Sequence, residues 1–572
     1  MAAIASGKTG CSSKVVKQVR KSNFAVTIPQ LTADIEAADF VAVTIRKTGD
    51  CSSSSSYRQP WRRILPIDTR EIAYLKSKHA AESFELLQFA VCPFSIHGSK
   101  VRAFPYNFHL FPRDELDIGM PSYSFSCQSS FLSSMAHEGF DFNACIHDGI
   151  SYLSRVQEAK AKDRNPRSLL RPISSWANLS VADSIFKERI KSRITHWRNA
   201  CRDSTQPNNC SLVHLLKKII LSGESYGSRP SLSVDVCSEK QVPLVLETVN
   251  QISDDLVASV IPEVGGQTKA VRVVLTSSEE DKKVFLAELE ALEQEQNLKI
   301  RGFRQVIDLI SASHKPVISH NCLHDFSFIH QKFLGPLPST LSEFMCSLRL
   351  LFSTVVDVNH LLEEISPLRK AKNISSSHRY LKRQFFVPIE LEFPHQIEDE
   401  SGNHGHNVLK IITLFVELSK LLSIPTEEHA NIFHPTSISL QELGDNEDDD
   451  PNFWKDVARR LSTDNVIFLW GFGGADYAAE IKRRFFQLDD EVDVQMVDKT
   501  CAVVVFKRTG SAETLLKELC SMETVSGALK EMVADGLRFA GYDAYRKICR
   551  LGLWEKDLAD SFEMALAEPV EK

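Results

Sequence analysis

The apolar positions change period several times along the chain. Leu31 to Ala38 has helical spacing, and the β-rich run Phe40-Val41-Ala42-Val43-Thr44-Ile45 follows it. Helical spacing returns over Ala73–Phe84. Leu86–Cys92 and Val101–Phe108 then read as two strands. This order of helix, strand and strand predicts a mixed sheet with an antiparallel hairpin. Further on, the short buried strand Val317-Ile318-Ser319 runs through His320-Asn321-Cys322-Leu323-His324-Asp325 into a helix, and a second apolar helix is predicted over Val408–Leu422.

Between these blocks the character differs. Lys187, Arg189, Lys191, Arg193 and Arg198 form a basic helical stretch, Val242–Val257 is amphipathic, Val271–Leu275 is a strand and Glu279–Leu298 a charged helix. This reads as a small inserted domain. Near the end, Val466–Trp470, a helix over Ala475–Phe486, Val492–Met496, Ala502–Phe506 and a helix over Thr514–Cys520 give β-α-β-β-α order. That is most of an RNA-recognition-motif sandwich. Ser52 to Ser56 is a serine run and reads as a loop; Glu442 to Asp450 is acidic and reads as a linker. The organisation expected is a basic extension at 1–15, a first half-domain at 16–160, the insert at 161–299, a second half-domain at 300–425, a linker at 426–455, the sandwich at 456–530 and a helical tail at 531–572.

Composition narrows the partners. A chain of 572 residues exceeds one ordinary core, and 43% hydrophobic with 25% charged residues describes a globular protein. The formal net charge of -7 leaves nucleic-acid contact to local basic patches rather than to a general coat. The 13 cysteines form no C-x-x-C pair, so a structural zinc site is not expected. No apolar run is long enough to span a membrane, and no membrane association is expected. The acid-free stretch before Asp34 holds Lys8, Lys14, Lys17, Arg20 and Lys21 among serines. It fits either an organellar transit segment or a basic arm of the fold.

The hinge H-N-x-x-x-D at His320 to Asp325 is a signature of 3′→5′ exonucleases of ribonuclease-H-like fold, and its surroundings resemble the poly(A)-specific ribonuclease family. Lys21-Ser22-Asn23-Phe24, Ala37-Ala38-Asp39-Phe40, Leu87-Gln88-Phe89, Cys127-Gln128-Ser129-Ser130, Glu138-Gly139-Phe140-Asp141-Phe142-Asn143 and Leu341-Ser342-Glu343-Phe344 carry the resemblance too. It implies an α/β fold: a ribonuclease-H-like mixed-sheet exonuclease domain, an inserted small α/β domain and a C-terminal RNA-recognition-motif-like α+β sandwich. It implies binding to RNA 3′ ends or poly(A) tails, a divalent cofactor such as Mg²⁺, and a homodimer or a heterodimer with an active relative. The compartment expected is nucleus or cytoplasm, with the mitochondrion as the alternative raised by the basic N-terminus.

Such nucleases hydrolyse a phosphodiester with two metal ions held by four carboxylates. The first two stand two apart on the opening strand, so that both face one side of the sheet. Here those positions read Thr44 and Arg46. Asp325 fills the third. For the fourth, Asn407 opens a helix of the second half-domain, with His404 as a weak stand-in for the general base. Asp543, in Gly541-Tyr542-Asp543-Ala544-Tyr545, is the alternative. On this reading one of four metal carboxylates survives, and nuclease activity is expected to be impaired or lost, with an active deadenylase and a protein scaffold as alternatives. Arg46 is expected to reach Asp325 and replace a bound cation. The hinge residues His320 and Asn321, the basic residues Arg189 and Arg193 and the ring of Phe468, read as an exposed stacking platform, are the candidate RNA contacts. The stacking positions Cys501 and Val503 carry no ring, so the sandwich face suits RNA or a protein partner equally.

Overall fold

The computed structural model describes residues 16–50, 60–65, 67–114, 124–164, 180–203, 224–238, 241–262, 268–365, 374–385, 389–394, 405–422, 462–472, 481, 483, 492–508, 510–521 and 527–567. The serine run, the acidic linker, most of the helix expected over Ala475–Phe486, and His404 lie outside them. Strands run in order β1 (Lys17–Val19), β2 (Phe40–Lys47), β3 (Leu86–His97), β4 (Lys100–Ala103), β5 (Tyr106–His109), β6 (Glu224–Tyr226), β7 (Arg229–Asp235), β8 (Leu256–Pro262), β9 (Thr268–Leu275), β10 (Val317–Ser319), β11 (Val355–Asp357), β12 (Glu390–Glu392), β13 (Val466–Trp470), β14 (Val492–Met496), β15 (Cys501–Phe506) and β16 (Arg538–Gly541). The chain divides into two compact units, one of residues 1–111, 125–150 and 306–572, the other of residues 112–124 and 151–305.

The first unit is built on a mixed sheet of order β1-β5-β3-β2-β10-β11, with β4 and β12 extending one end of β3. β2 and β3 are antiparallel, while β2, β10 and β11 run parallel. Val101–Phe108 is two strands and not one. Pro105 lacks an N–H for the ladder, so β4 pairs with one end of β3 and β5 with the other. The first helix begins earlier than its apolar spacing suggests, spanning Lys21–Ala37, because Asn23 accepts a hydrogen bond from the Arg20 N–H and closes a capping box.

Period-2 alternation sorts the strand residues between two faces. Phe40, Ala42, Ala90, Cys92, Phe94 and Ile318 meet the apolar stripe of the Gly405–Leu421 helix. Phe415 of that helix packs edge-on against Phe40 at 5.4 Å. On the other face Phe89 meets Phe333, and the Arg70–Ser83 and Cys322–Ile329 helices pack against each other.

The same unit holds a second sheet of order β14-β15-β13-β16. Its fourth strand, β16, lies beyond the boundary expected at 530. Ile467, Leu469, Val504 and Phe506 face the Ser511–Ser521 and Gly527–Ala534 helices. The opposite face is described below.

The other unit has an antiparallel sheet of order β6-β7-β9-β8. The Val181–Asp203 and Gln241–Ile252 helices share its core through Ile190, Ile194, Trp197, Val245 and Val249. The amphipathic stretch expected over Val242–Val257 ends at Ile252. From Leu256 the chain is strand β8, and the turn between is tied down by Arg198 and Arg202 on Asp255.

Candidate functional site

The strand register places the positions that the sequence singles out. Val41 and Ala42 of β2 pair with Val317 and Ile318 of β10. Two residues beyond Ala42 and Ile318 stand Thr44 and His320, at the end of the sheet where the chain leaves β10 for the Cys322–Ile329 helix. Alternation turns Thr44 and Arg46 to the Ala42 side, the face covered by the Gly405–Leu421 helix. Across the sheet, Thr44 lies opposite Ala90 and Ala90 opposite Asn107; Arg46 lies opposite Gln88 and Gln88 opposite His109.

The Gly405–Leu421 helix enters over the Asn107 end of that row. A Cβ on Gly405 would stand 2.5 Å from Val16 Cγ1 and 3.2 Å from Asn107 Cβ, so only glycine permits the approach. Asn407 therefore sits in the first turn above the sheet. It is half-buried, and its Oδ1 accepts from Lys410 Nζ at 3.2 Å.

Asp325 is buried in the first turn of the hinge helix, where its carboxylate accepts from Ser319 Oγ. Asn321 caps this helix and is buried, and His320 is half-buried beside it. Thr44, the hinge and Asn407 thus share one end of one sheet. Asp543 does not belong to this arrangement. It lies on the Tyr542–Leu551 helix that follows β16 of the second sheet, with its side chain 91% exposed and paired with Arg546 at 2.9 Å. The segment that resembles a nuclease motif supplies the last strand and helix of the C-terminal module.

Arg46 also departs from expectation. Its Nη2 donates to Glu138, and its Nη1 approaches Gln88 Oε1 at 3.4 Å, so it turns to these residues and not to Asp325. The physical reason is proximity of an anion: Glu138 follows the Ser129–His137 helix and is delivered to the Arg46 end of the row. In the sequence Glu138 stands out only as the first residue of the segment Glu138–Asn143 that carries the resemblance.

The donor atoms at the four positions can be compared with what a metal centre requires. A two-metal centre needs several converging carboxylates for hard cations. Here the four positions offer one carboxylate, one hydroxyl, one amide and one guanidinium, and the last is already neutralised by Glu138. Among the described residues no three His, Cys, Asp or Glu side chains gather as a metal site requires. These residues do not fit two divalent cations.

The other candidate RNA contacts divide. Arg189 and Arg193 are exposed one turn apart on the Val181–Asp203 helix, in the second unit. Phe468 is not exposed: its relative accessibility is 0%. It stacks on Tyr545 at 4.7 Å and meets Phe562 at 5.3 Å, beneath the Tyr542–Leu551 and Leu558–Ala567 helices. Trp470, Cys501 and Val503 are buried in the same cluster together with Trp61, Leu65, Ile67 and Ile72. The apolar face that suited a protein partner meets the chain itself.

A buried polar clasp fixes this docking. Lys76 Nζ donates to Asp68 Oδ2 at 2.7 Å and contacts Tyr545 Oη at 2.9 Å, while Tyr545 Oη donates to Asp68 Oδ1 at 2.8 Å. Tyr542 Oη donates to the Ile67 carbonyl at 2.7 Å, and Trp61 stacks on Trp554 at 5.5 Å.

The sequence matches known ribonucleases. The profile of the CAF1 family ribonucleases matches residues 19–547. The protein called poly(A)-specific ribonuclease PARN-like of Arabidopsis thaliana is 44% identical over 577 residues, spanning 96% of this chain and 91% of that one. Poly(A)-specific ribonuclease PARN of the same plant is 27% identical, spanning 96% of this chain and 87% of its own length. Among solved structures, S. pombe Pop2p in its Mg²⁺- and Mn²⁺-bound form matches 71% of this chain and 93% of its own, at 10% identity and a TM-score of 0.32. No helix among the described residues is long and apolar enough to cross a membrane.

Proposed function

Because the chain belongs to the CAF1 ribonuclease family, we propose that it binds RNA 3′ ends, poly(A) tails among them, without cleaving them by metal catalysis. The observation that carries this reading is Arg46 paired with Glu138, at a strand position where a two-metal nuclease needs an acid. A guanidinium offers a divalent cation no ligand atom, yet once its counter-ion yields it can hold a phosphodiester. Thr44 and Asn407 supply neutral oxygens that can hydrogen-bond RNA but cannot gather charge. Asp325, held by Ser319, then serves the hinge as a helix-start carboxylate rather than as one of four ligands. The protein would hold tails, alone or paired with a cleaving relative.

The test is incubation of purified protein with end-labelled oligo(A) and Mg²⁺ or Mn²⁺. Retardation without shortening is expected. The Thr44→Asp/Arg46→Glu/Asn407→Asp variant, run beside it, shows whether the remaining scaffold still positions a substrate. Metal-dependent shortening by the wild type that disappears in Asp325→Ala would overturn the reading, as would the absence of any oligo(A) binding.

A further inference from the structure

We infer that Glu138 occupies Arg46 as an internal substitute for phosphate, and that an RNA phosphodiester must displace it to enter the site. This rests on the RNA-binding reading above and adds the ligand chemistry and the regulation of one position in it.

Arg46 is carried by a central strand of the main sheet, opposite Gln88, so its backbone is fixed. Glu138 is carried by the turn after the Ser129–His137 helix, where Gly139 takes a φ of +79° to reverse the chain. Its second carboxylate oxygen accepts from Ser134 Oγ at 3.3 Å, a contact within its own helix end. The anion is also the wetter partner: the Glu138 side chain is 35% exposed against 14% for Arg46. Of the two, Glu138 is the one free to leave. The guanidinium fork presents the same parallel donors to a carboxylate and to a phosphate. Gln88 Oε1, at 3.4 Å, is too long to satisfy Arg46 by itself. An arriving phosphate therefore competes for this cation with a single carboxylate on a turn.

Removing the competitor should tighten binding only through Arg46. Glu138→Gln keeps the length and polarity of the side chain and deletes its charge. Oligo(A) affinity should rise about two- to fivefold, the range of a partly exposed ion pair. In an Arg46→Ala background the same substitution should give no more than the general effect of deleting one charge. Asp141→Asn, which deletes an equal charge three residues on and leaves a capable helix cap, measures the general field effect and should give a smaller gain. Inorganic phosphate, titrated as a competitor against the same proteins, separates a free oxyanion from RNA.

If wild type binds oligo(A) and Glu138→Gln binds it no tighter, the displacement idea fails while the RNA-binding reading stands. Equal gains from Glu138→Gln and Asp141→Asn, or an undiminished gain with Arg46→Ala, overturn it in the same way. A gain for inorganic phosphate without a gain for oligo(A) assigns the site to a free anion and rejects the proposal. Failure of every variant to bind oligo(A) removes both readings.

Discussion

Phe468 distinguishes a core role from an RNA-stacking role, because the two assign the energy of one ring to different measurements. The ring is wholly buried, stacked on Tyr545 at 4.7 Å and within 5.3 Å of Phe562. Truncating a buried phenylalanine to alanine costs about 3–5 kcal/mol, transfer and cavity terms together. The aromatic pairs add about 0.5–1.5 kcal/mol beyond area. Against a typical stability of about 5–15 kcal/mol, Phe468→Ala removes a large share. An exposed stacking ring would behave otherwise: its loss would leave stability alone and weaken RNA binding by about 1–3 kcal/mol per base.

Urea unfolding followed by tryptophan fluorescence suits the comparison. Trp61, Trp470 and Trp554 all sit in the Phe468 cluster. Phe468→Leu should lose only part of the stability and remain folded, so oligo(A) affinity can be read on it directly. The expectation is a clear loss of stability in both variants and unchanged affinity in the leucine variant. A leucine variant of full stability with weakened oligo(A) binding would refute the buried assignment.

Two further substitutions probe the clasp and a buried acid. Lys76→Met leaves Asp68 buried without its cation and should destabilise the docking of the C-terminal module by about 3–5 kcal/mol, with much of the loss recovered in Lys76→Met/Asp68→Leu; proteolysis of the 527–567 region and urea midpoints check it, and an unaffected single variant would contradict it. Burial pushes the Glu417 carboxyl up to about 7, against an opposing attraction from Lys382. A carboxyl that holds its proton longer in the folded state loses stability as pH rises from about 4.5 to about 7, and the loss is complete above that. The cost is at most about 3–4 kcal/mol for such a shift, and solvent screening reduces it. His378, whose Nδ1 is 3.7 Å away, is lowered by burial and acts with the opposite sign, so the difference between wild type and Glu417→Gln isolates the acid. That difference should favour Glu417→Gln increasingly from pH 5 to about pH 7 and level off above it; a flat or reversed trend rejects the assignment.

What the sequence discloses about the site follows from the range of the interactions involved. The placement of Thr44 and Arg46 was legible because alternation along a strand is local and the hinge motif anchors the neighbouring strand. The partner of Arg46 was not, since Glu138 is 92 residues away and only the tertiary fold brings it near. Phe468 misled for a related reason. A short β-rich run with one aromatic reads the same whether its face is wet or covered, and what covers it is Tyr545 and Phe562, far along the chain. Gly541 to Tyr545 carried two signals at once, a motif and a strand end. Pairing of Arg538–Gly541 with β13 decides between them, because it commits the segment to the second sheet.

The two departures from what the resemblance implies have one physical theme. At the end of the main sheet, a position where a metal carboxylate was expected carries a side-chain cation with its own counter-ion. On the C-terminal sheet, the face that would stack bases is replaced by an internal hydrophobic interface. Each change satisfies within the chain a group that would otherwise need a ligand: charge at Arg46 by Glu138, apolar area at Phe468 and Trp470 by the last two helices. The two differ in reversibility. The Phe468 interface is dry and closed by a buried ion pair, and opening it would expose a large apolar surface together with Lys76 and Asp68. The Arg46 pair is partly wet and rests on a turn, and opening it separates only one carboxylate from one guanidinium. RNA contact is therefore expected at the main sheet and not at the C-terminal module, although the latter carries the RNA-recognition-like topology.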